Sequence, residues 1–240
     1  MTMFRGAFTA LVTPMLEDGS VDYGDFRKLV KSQLEGGING LVPLGTTAET
    51  PTLEEDEEDK IIEIVFEEVR AFEKANNKKI PIILGAGSNC TKDAVRYCER
   101  AKKAGADAVL VVTPYYNKAT QNGLYEHFKM IAESVKVPVI LYNVPGRTGC
   151  NIAPATVVRL CKDVENIVGV KEASGNISQI AKIAALCGDK IDIYSGNDDQ
   201  IVPIMALGGK GVISVLSNCV PKETHDICQL CLENKYDEAR

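Results

Sequence analysis

The sequence is poor in the residues that build metal sites and bind polyanions. Its two histidines are His127 and His225, and only His225 lies near a cysteine pair, Cys228 and Cys231 in the segment CQLC. That pair is more typical of buried thiols on an amphipathic helix than of a zinc site, so we expect no metal. The formal net charge is −6, and an acidic surface repels phosphate backbones, which disfavours a nucleic-acid partner.

Long apolar runs and targeting signals are lacking as well. The first apolar run ends at Pro14, which makes it too short to span a bilayer, and it has no signal-peptide cleavage pattern. The eight cysteines do not form the compact framework of a secreted, disulfide-rich domain. We therefore expect a cytoplasmic protein with free thiols and no membrane partner.

Eight short apolar runs alternate with longer amphipathic stretches. Each run is nearly continuous in Val, Ile and Leu, which is typical of strands buried on both faces of a parallel sheet. The length of 240 residues suits an α/β barrel, and the lack of a GxGxxG segment after the first run weakens a dinucleotide-binding fold. The pattern predicts a single (β/α)8 TIM barrel domain over residues 1–240. The predicted strands lie within residues 6–14, 40–45, 80–85, 108–114, 137–144, 167–173, 191–196 and 211–218.

The segment after the second run predicts the start of a helix. Thr52 and Glu55 have the spacing of a capping box, in which the glutamate reaches back to the cap. Residues 54–59 form a dense acidic run. Negative charge complements the dipole at a helix N-terminus, so this run suits a solvated first turn, and we assign it no chemistry.

Lys171 is the most distinctive residue at the predicted C-terminal ends of the strands, where barrel active sites lie. It is the only lysine inside a predicted strand. A lysine at a strand end commonly extends its amine to solvent. An amine inside a closed barrel instead loses hydration, which lowers its pKa and leaves a neutral nucleophile for carbonyl groups. Position alone leaves both interpretations open.

Other polar residues follow the neighbouring strands. Tyr142 is expected at a height similar to that of Lys171 and is suited to proton transfer, although a core tyrosine with a satisfied hydroxyl is the simpler interpretation. Thr46 and Thr47 also fit a turn that bonds its own backbone. Arg147 is either a surface charge or a planar fork for a substrate carboxylate. Their joint position at one barrel mouth favours a site.

Six segments resemble the dihydrodipicolinate synthase family, within the pyruvate-dependent class I aldolases and lyases. The segments are GTTAE with the following TPTL, VVTPYYNK, LYNVPGRTG, GVKEASGN, YSGNDD and GGKGVISV, and they cover essentially the whole chain in the expected order. The resemblance implies a lyase without a cofactor. Its substrates would be pyruvate and aspartate 4-semialdehyde, and its product 4-hydroxy-tetrahydrodipicolinate, for lysine and diaminopimelate biosynthesis.

The resemblance also implies roles for individual residues. Lys171 would form a Schiff base with pyruvate. Thr47, Tyr142 and Tyr116 would form a proton relay, with Tyr116 supplied by a neighbouring subunit, so at least a homodimer is implied, and a tetramer stays open. Arg147 would hold the carboxylate of the semialdehyde. The implied substrate-binding positions are Thr46, Thr47, Arg147, Gly196 and Ile213.

Three features differ from the family pattern. Ala48 stands where the family usually has glycine, which matters only if that position needs a positive φ. Family members continue beyond the position of Arg240 as a small helical extension, which we expect this chain to lack. Parts of the family have a lysine-feedback site, but Glu55 and Glu58 replace residues that are often histidine, so feedback stays open. The matching positions are Thr50, Pro51, Glu55, Glu58, Asn89, Asp93 and Tyr115.

Two alternatives use the same residues. A lyase for N-acetylneuraminate or a 2-keto-3-deoxy-sugar acid would share Lys171 and Tyr142. Arg147 argues against it, because such enzymes more often have small or hydroxyl residues at that position. A catalytically impaired barrel that serves as a scaffold is the second alternative, suggested by the short C-terminus. The retention of every chemical group argues against that reading.

Overall fold

Eight parallel strands form one sheet in the computed structural model, which describes residues 4–240. The strands are β1 Gly6–Ala10, β2 Gly40–Val42, β3 Ile83–Gly85, β4 Ala108–Val112, β5 Val139–Asn143, β6 Ile167–Glu172, β7 Asp192–Ser195 and β8 Gly211–Ser214. Each lies within its predicted run. Their order in the sheet is β2-β1-β8-β7-β6-β5-β4-β3.

The two outer strands of that order, β2 and β3, meet and close the barrel. A parallel bridge joins Leu41 to Ile82. The Leu41 N–H donates to the Pro81 carbonyl at 3.1 Å, and the Gly85 N–H donates to the Pro43 carbonyl at 3.0 Å. Because closure satisfies the backbone groups that an open sheet would expose, no strand edge is left between β2 and β3. The predicted (β/α)8 barrel is confirmed.

Helices connect the strands and cover the outside of the barrel. They are α1 Tyr23–Glu35, α2 Glu55–Asn76, α3 Thr91–Ala104, α4 Gln121–Val135, α5 Pro145–Thr148, α6 Pro154–Asp163, α7 Ile177–Cys187, α8 Ile201–Ala206, α9 Pro221–Leu232 and α10 Tyr236–Ala239. No helix within residues 4–240 is both long and apolar enough to cross a bilayer. All eight cysteines are free thiols.

The predicted capping box at the start of α2 is wrong by two residues. The helix begins at Glu55 with Glu54 as its N-cap, and the Glu57 carboxylate accepts the Glu54 N–H at 2.9 Å. Thr52 lies in a preceding 3-10 turn, where its hydroxyl donates to the Glu49 carbonyl at 2.8 Å. A hydroxyl that bonds the turn before it is not available to cap the helix after it.

The core has an outer and an inner part because alternate side chains of each strand point to opposite faces. On β5, Val139 and Leu141 pack outward against the helices. Ile140 and Tyr142 point into the barrel, where they belong to a separate cluster that includes Phe8. The barrel interior is therefore packed with side chains, and a cavity lies toward the C-terminal ends of the strands.

A glycine at the β2–β3 seam provides a test of this closure. A Cβ at Gly85 would lie 1.9 Å from the Leu44 carbonyl oxygen, so Gly85→Ala should lower the free energy of unfolding by about 1–3 kcal/mol. Gly45 is the matched control, because its φ is −88° and a Cβ there would meet no atom within 4 Å. Gly45→Ala should stay within about 0.5 kcal/mol of the parent. Urea unfolding of the three proteins measures both values, and equal midpoints would contradict the seam geometry.

Candidate active site

Lys171 lies near the C-terminal end of β6, inside the barrel. It is 4% exposed and pairs in register with Tyr142 on β5. Its Nζ lies 4.1 Å from the centroid of the Tyr142 ring. Burial lowers the pKa of Lys171 to about 7, a decrease that Asp198 opposes and Arg147 reinforces. Burial thus favours the neutral amine, which is the nucleophilic form.

A cavity of about 380 Å³ opens onto the Lys171 amine. It is bounded by the segments that follow β2, β5, β6, β7 and β8. Its lining residues are Thr46, Thr47, Tyr142, Val144, Arg147, Lys171, Ala173, Gly196, Asn197, Asp198, Asp199 and Val215. The cavity combines a buried amine, a phenol, hydroxyls, a guanidinium and carboxylates, which is a set suited to a small, charged carbonyl compound.

Gly196 leaves room for the lysine side chain. A Cβ at this position would lie 3.1 Å from Lys171 Cε and 2.7 Å from the Ala173 Cβ. The Gly196 N–H donates to the Glu172 carbonyl at 2.8 Å, which fixes the turn after β7 against β6. Any larger residue here would press on the lysine or displace the turn.

Tyr142 is buried, with 6% of its surface exposed. Burial raises its pKa, whereas a hydrogen bond with the Thr46 side chain and the charge of Arg147 lower it. The phenol therefore keeps its proton at neutral pH and can give it to, and regain it from, a nearby oxygen. Thr46 and Thr47 reach this position because they form a 3-10 turn directly after β2.

Ala48 closes that turn without backbone strain. It lies within the 3-10 turn and is not among the residues with positive φ, whereas its neighbours Leu44 and Glu49 both have φ of 56°. The Thr13 hydroxyl donates to the Ala48 carbonyl at 2.9 Å. A glycine is thus not required at position 48 for conformational reasons.

Arg147 belongs to the short helix α5 after β5, and it is exposed. It lines the Lys171 cavity and also a second, larger one of about 550 Å³. Tyr142 lies between the two cavities and lines both. A guanidinium at this junction can bind a carboxylate whose other end reaches toward Lys171.

Two predicted site residues do not line the Lys171 cavity. Tyr116 is 88% exposed, and its N–H donates to the Thr148 carbonyl at 3.4 Å. Ile213 on β8 is fully buried in the inner cluster, and the residue of that segment at the cavity is Val215. Within one chain the structure brings together Lys171, Tyr142, Thr46, Thr47, Arg147 and Gly196.

The larger cavity holds most of the positions matched to a feedback site. Thr50, Pro51, Glu55, Glu58 and Tyr115 line it, whereas Asn89 and Asp93 are not among its lining residues. The side chain of Asn117 donates to the Asn89 carbonyl at 2.7 Å.

The acidic run at the start of α2 is more than a solvated turn. Glu55 pairs with Arg96, and Glu58 pairs with Arg100, both on α3. Asp59 also contacts Arg100, at 2.6 Å. Burial raises the pKa of Glu58, and the hydrogen bond and charge of Arg100 lower it. These ion pairs join α2 to α3 and neutralise the charges of Glu55, Glu58 and Asp59.

Residue-by-residue reading of the sequence missed two acidic residues beside Lys171. Glu172 is fully buried and accepts hydrogen bonds from Asn143 at 2.5 Å, Ser174 at 3.0 Å and Gln179 at 3.0 Å. Burial raises its pKa, and these three donors lower it. This network holds the end of β6 from the helix side. Asp198 lines the cavity itself, and a charged residue directly after β7 was the available signal.

The chain is similar to known enzymes over its whole length. The sequence profile of the dihydrodipicolinate synthetase family matches residues 3–240. The chain is 48% identical over 239 residues to the 4-hydroxy-tetrahydrodipicolinate synthase of Clostridium novyi, with 100% of this chain and 78% of that protein covered. It is 50% identical over 239 residues to 4-hydroxy-tetrahydrodipicolinate synthase 1 of Clostridium acetobutylicum, with 100% and 78% covered.

A solved structure with the same fold contains a bound ligand. It is a chloride-inhibited dihydrodipicolinate synthase from Acinetobacter baumannii complexed with pyruvate. The TM-score is 0.91 at 43% sequence identity, and the alignment covers 99% of this chain and 79% of that one. The similarity therefore extends over the entire barrel.

The burial of Lys171 predicts a pH-dependent cost to stability. Its pKa falls from 10.5 to about 7 on folding. Below pH 7 both states are protonated and folding must bury the ammonium, at a cost on the order of 4 kcal/mol. This cost decreases as the pH rises above 7 and vanishes near the unfolded-state pKa. Lys171→Met should therefore be more stable than the parent at pH 6, with the gain lost by about pH 10.

Urea unfolding between pH 6 and pH 10 measures this difference. Lys182→Met on α7 is the matched control, because Lys182 is exposed, and it should stay within about 0.5 kcal/mol of the parent at every pH. A Lys171→Met protein no more stable than the parent at pH 6 would contradict the burial of a charged amine.

Proposed function

The chain belongs to the dihydrodipicolinate synthetase family, and we propose that it condenses pyruvate with aspartate 4-semialdehyde through an imine on Lys171, giving 4-hydroxy-tetrahydrodipicolinate. The observation that carries this assignment is the buried amine of Lys171, with a pKa of about 7, in a cavity that also contains Tyr142 and Arg147. The curated relatives named for this activity match the whole chain, which favours it over a sugar-acid lyase.

Imine formation begins with the neutral Lys171 amine. Its lone pair attacks the ketone carbon of pyruvate, and the carbonyl oxygen then leaves as water, so one C=N bond replaces one C=O bond. Two protons must reach the departing oxygen. Both come from the amine nitrogen, and the Tyr142 phenol, hydrogen-bonded to Thr46 and facing the amine, is placed to relay them by giving its own proton and regaining one from the nitrogen. The polar groups of Thr46 and Thr47 are assigned to the pyruvate carboxylate, and Thr47 also to the proton relay.

The carbon–carbon bond forms in the next steps. The protonated imine withdraws electrons, so the pyruvate methyl group loses a proton and becomes the terminal carbon of an enamine. This carbon attacks the aldehyde carbon of the semialdehyde, whose oxygen takes up the proton that the methyl group lost and becomes a hydroxyl. The substrate amine then attacks the imine carbon, closes the ring and releases Lys171. The lysine imine is the electron sink, so the reaction as proposed needs no cofactor.

Tyr116 is assigned to the site of a second subunit. It is 88% exposed on its own chain and has a φ of 70°, a conformation that non-glycine residues rarely adopt. Such a tyrosine on the loop after β4 is available to a neighbouring barrel. The proposal therefore includes at least a homodimer, in which each subunit gives its Tyr116 to the other.

Trapping with borohydride tests the central assignment. Incubation with pyruvate and borohydride should add one lactyl group to the chain, and peptide mapping should locate it at Lys171. Lys171→Ala should take up none, whereas Lys182→Ala, altered at an exposed site on α7, should label like the parent. Equal labelling of Lys171→Ala would overturn the proposal.

Arg147 should act on the second substrate and not on pyruvate. Loss of a charge-assisted, bidentate contact in Arg147→Ala should lower kcat/KM for the semialdehyde by about 30-fold or more. Arg147→Lys keeps the charge but not the fork, so it should recover only part of this loss. Pyruvate trapping should change little in either variant. An equal loss of trapping would show that Arg147 serves pyruvate instead.

Complementation tests the shared tyrosine. Tyr116→Phe and Lys171→Ala should each be nearly inactive, the former by about 100-fold as for other proton-transfer groups. After subunit exchange, one site of each mixed dimer contains both an intact Lys171 and an intact Tyr116, so activity should return. Mixing Tyr116→Phe with Lys182→Ala is the matched control: exchange then only redistributes the intact sites, so the total activity should not change. No recovery despite proven exchange would reject the shared site.

A further inference from the structure

Asp198 is held rigidly at the wall of the Lys171 cavity. It begins a 3-10 turn after β7, and its Oδ2 accepts the N–H groups of Val215 at 3.2 Å and Leu216 at 3.0 Å. Its Oδ1 is buried and has no hydrogen-bond partner in the part of the chain that the structure describes. A buried carboxylate oxygen without a partner is costly, so its position calls for a reason.

The turn that carries Asp198 abuts the lysine. Gly196, two residues earlier, is so close that a Cβ there would lie 3.1 Å from Lys171 Cε. The carboxylate and the amine line the same cavity, yet Lys171 and Asp198 do not form an ion pair within residues 4–240. Asp198 thus lies near the amine without blocking its lone pair, which leaves space for a substrate.

Among the other groups around Lys171, only the exposed Asp199 carries a negative charge in the cavity lining. Tyr142 on β5 faces the amine as a neutral phenol, and Arg147 on α5 lines the cavity with a positive charge. The hydroxyl of Tyr194, the partner of Lys171 on β7, donates to the Phe4 carbonyl at 3.1 Å, away from the cavity. Asp199 also lines the cavity but is exposed to water, which screens its charge.

We propose that the Asp198 carboxylate stabilises the positive charge on the nitrogen of the Lys171–pyruvate adduct. This proposal rests on the proposed function. Once the imine is protonated, its buried nitrogen carries a positive charge in a cavity that Arg147 also lines. A fixed carboxylate nearby stabilises that charge by direct Coulomb attraction, which the burial of Lys171 and of Asp198 Oδ1 strengthens.

Asp198 favours a positive nitrogen in both the free enzyme and the adduct, and this has opposite consequences for trapping. In the free enzyme, Asp198 favours the ammonium form of Lys171, so removing its charge should make the amine neutral at lower pH. In the adduct, Asp198 favours the protonated imine, so the same change should weaken retention of pyruvate. A variant that merely disturbed the fold would not move these two properties in these opposite senses.

Asp198→Asn is the direct test, since the amide retains an oxygen for the N–H groups of Val215 and Leu216. Borohydride trapping is measured as a function of both pH and pyruvate concentration. The acid limb of the trapping rate should move down by about one pH unit, and half-saturation by pyruvate should rise about tenfold, as expected for one nearby charge. Asp189→Asn, which removes the same charge at an exposed position before β7, should shift the limb by less than about 0.3 unit.

The outcomes separate the hypotheses. An acid limb for Asp198→Asn that coincides with that of the parent, or an equal shift in Asp189→Asn, would overturn the role of Asp198 while leaving the Schiff base intact. A parent protein that traps no pyruvate would instead overturn the proposed function. If Asp198→Asn does not fold, Asp198→Ser, which keeps a smaller acceptor and also removes the charge, is measured in the same way, and the same shifts are expected.

Discussion

The removal of the Lys171 amine from water is the constraint on which the rest of the site depends. An ammonium group at that position is unfavourable, so the barrel shifts the equilibrium toward the neutral amine and brings the pKa to about 7. That shift requires a closed sheet, because only a closed barrel surrounds the end of β6 with other strands. It also requires Gly196, which leaves space for the side chain. Fold and reactivity are thus linked through one desolvated atom.

The surroundings of the amine limit how far this desolvation goes. The Tyr142 ring presents its face to Nζ at 4.1 Å, a contact that favours a cation. Asp198 acts in the same sense, and Arg147 acts against it. Behind the strand, the Glu172 network fixes the backbone from the helix side. The site must therefore allow a neutral amine before the reaction and also stabilise a positively charged adduct after it.

The sequence predicted what depends on local pattern. Continuous Val, Ile and Leu runs placed all eight strands, and a lysine within such a run indicated Lys171. Features that depend on distant contacts were not predictable in this way. Asp198 is anchored by amides at Val215 and Leu216, beyond α8 and β8. Glu55 and Glu58 of the acidic run form ion pairs with arginines on α3. The N-cap of α2 is Glu54 and not Thr52, because the Thr52 hydroxyl bonds the turn before the helix.

Direct titration of Lys171 is the closest test of whether the barrel lowers the pKa of this amine. The protein would be labelled with 13C at lysine Cε and followed by NMR from pH 5 to pH 11, with Lys171→Met used to assign the resonance. We expect the Lys171 resonance to titrate near pH 7, as its burial requires. A Lys171 resonance that titrates above pH 10 would contradict the claim that the barrel prepares this amine for reaction.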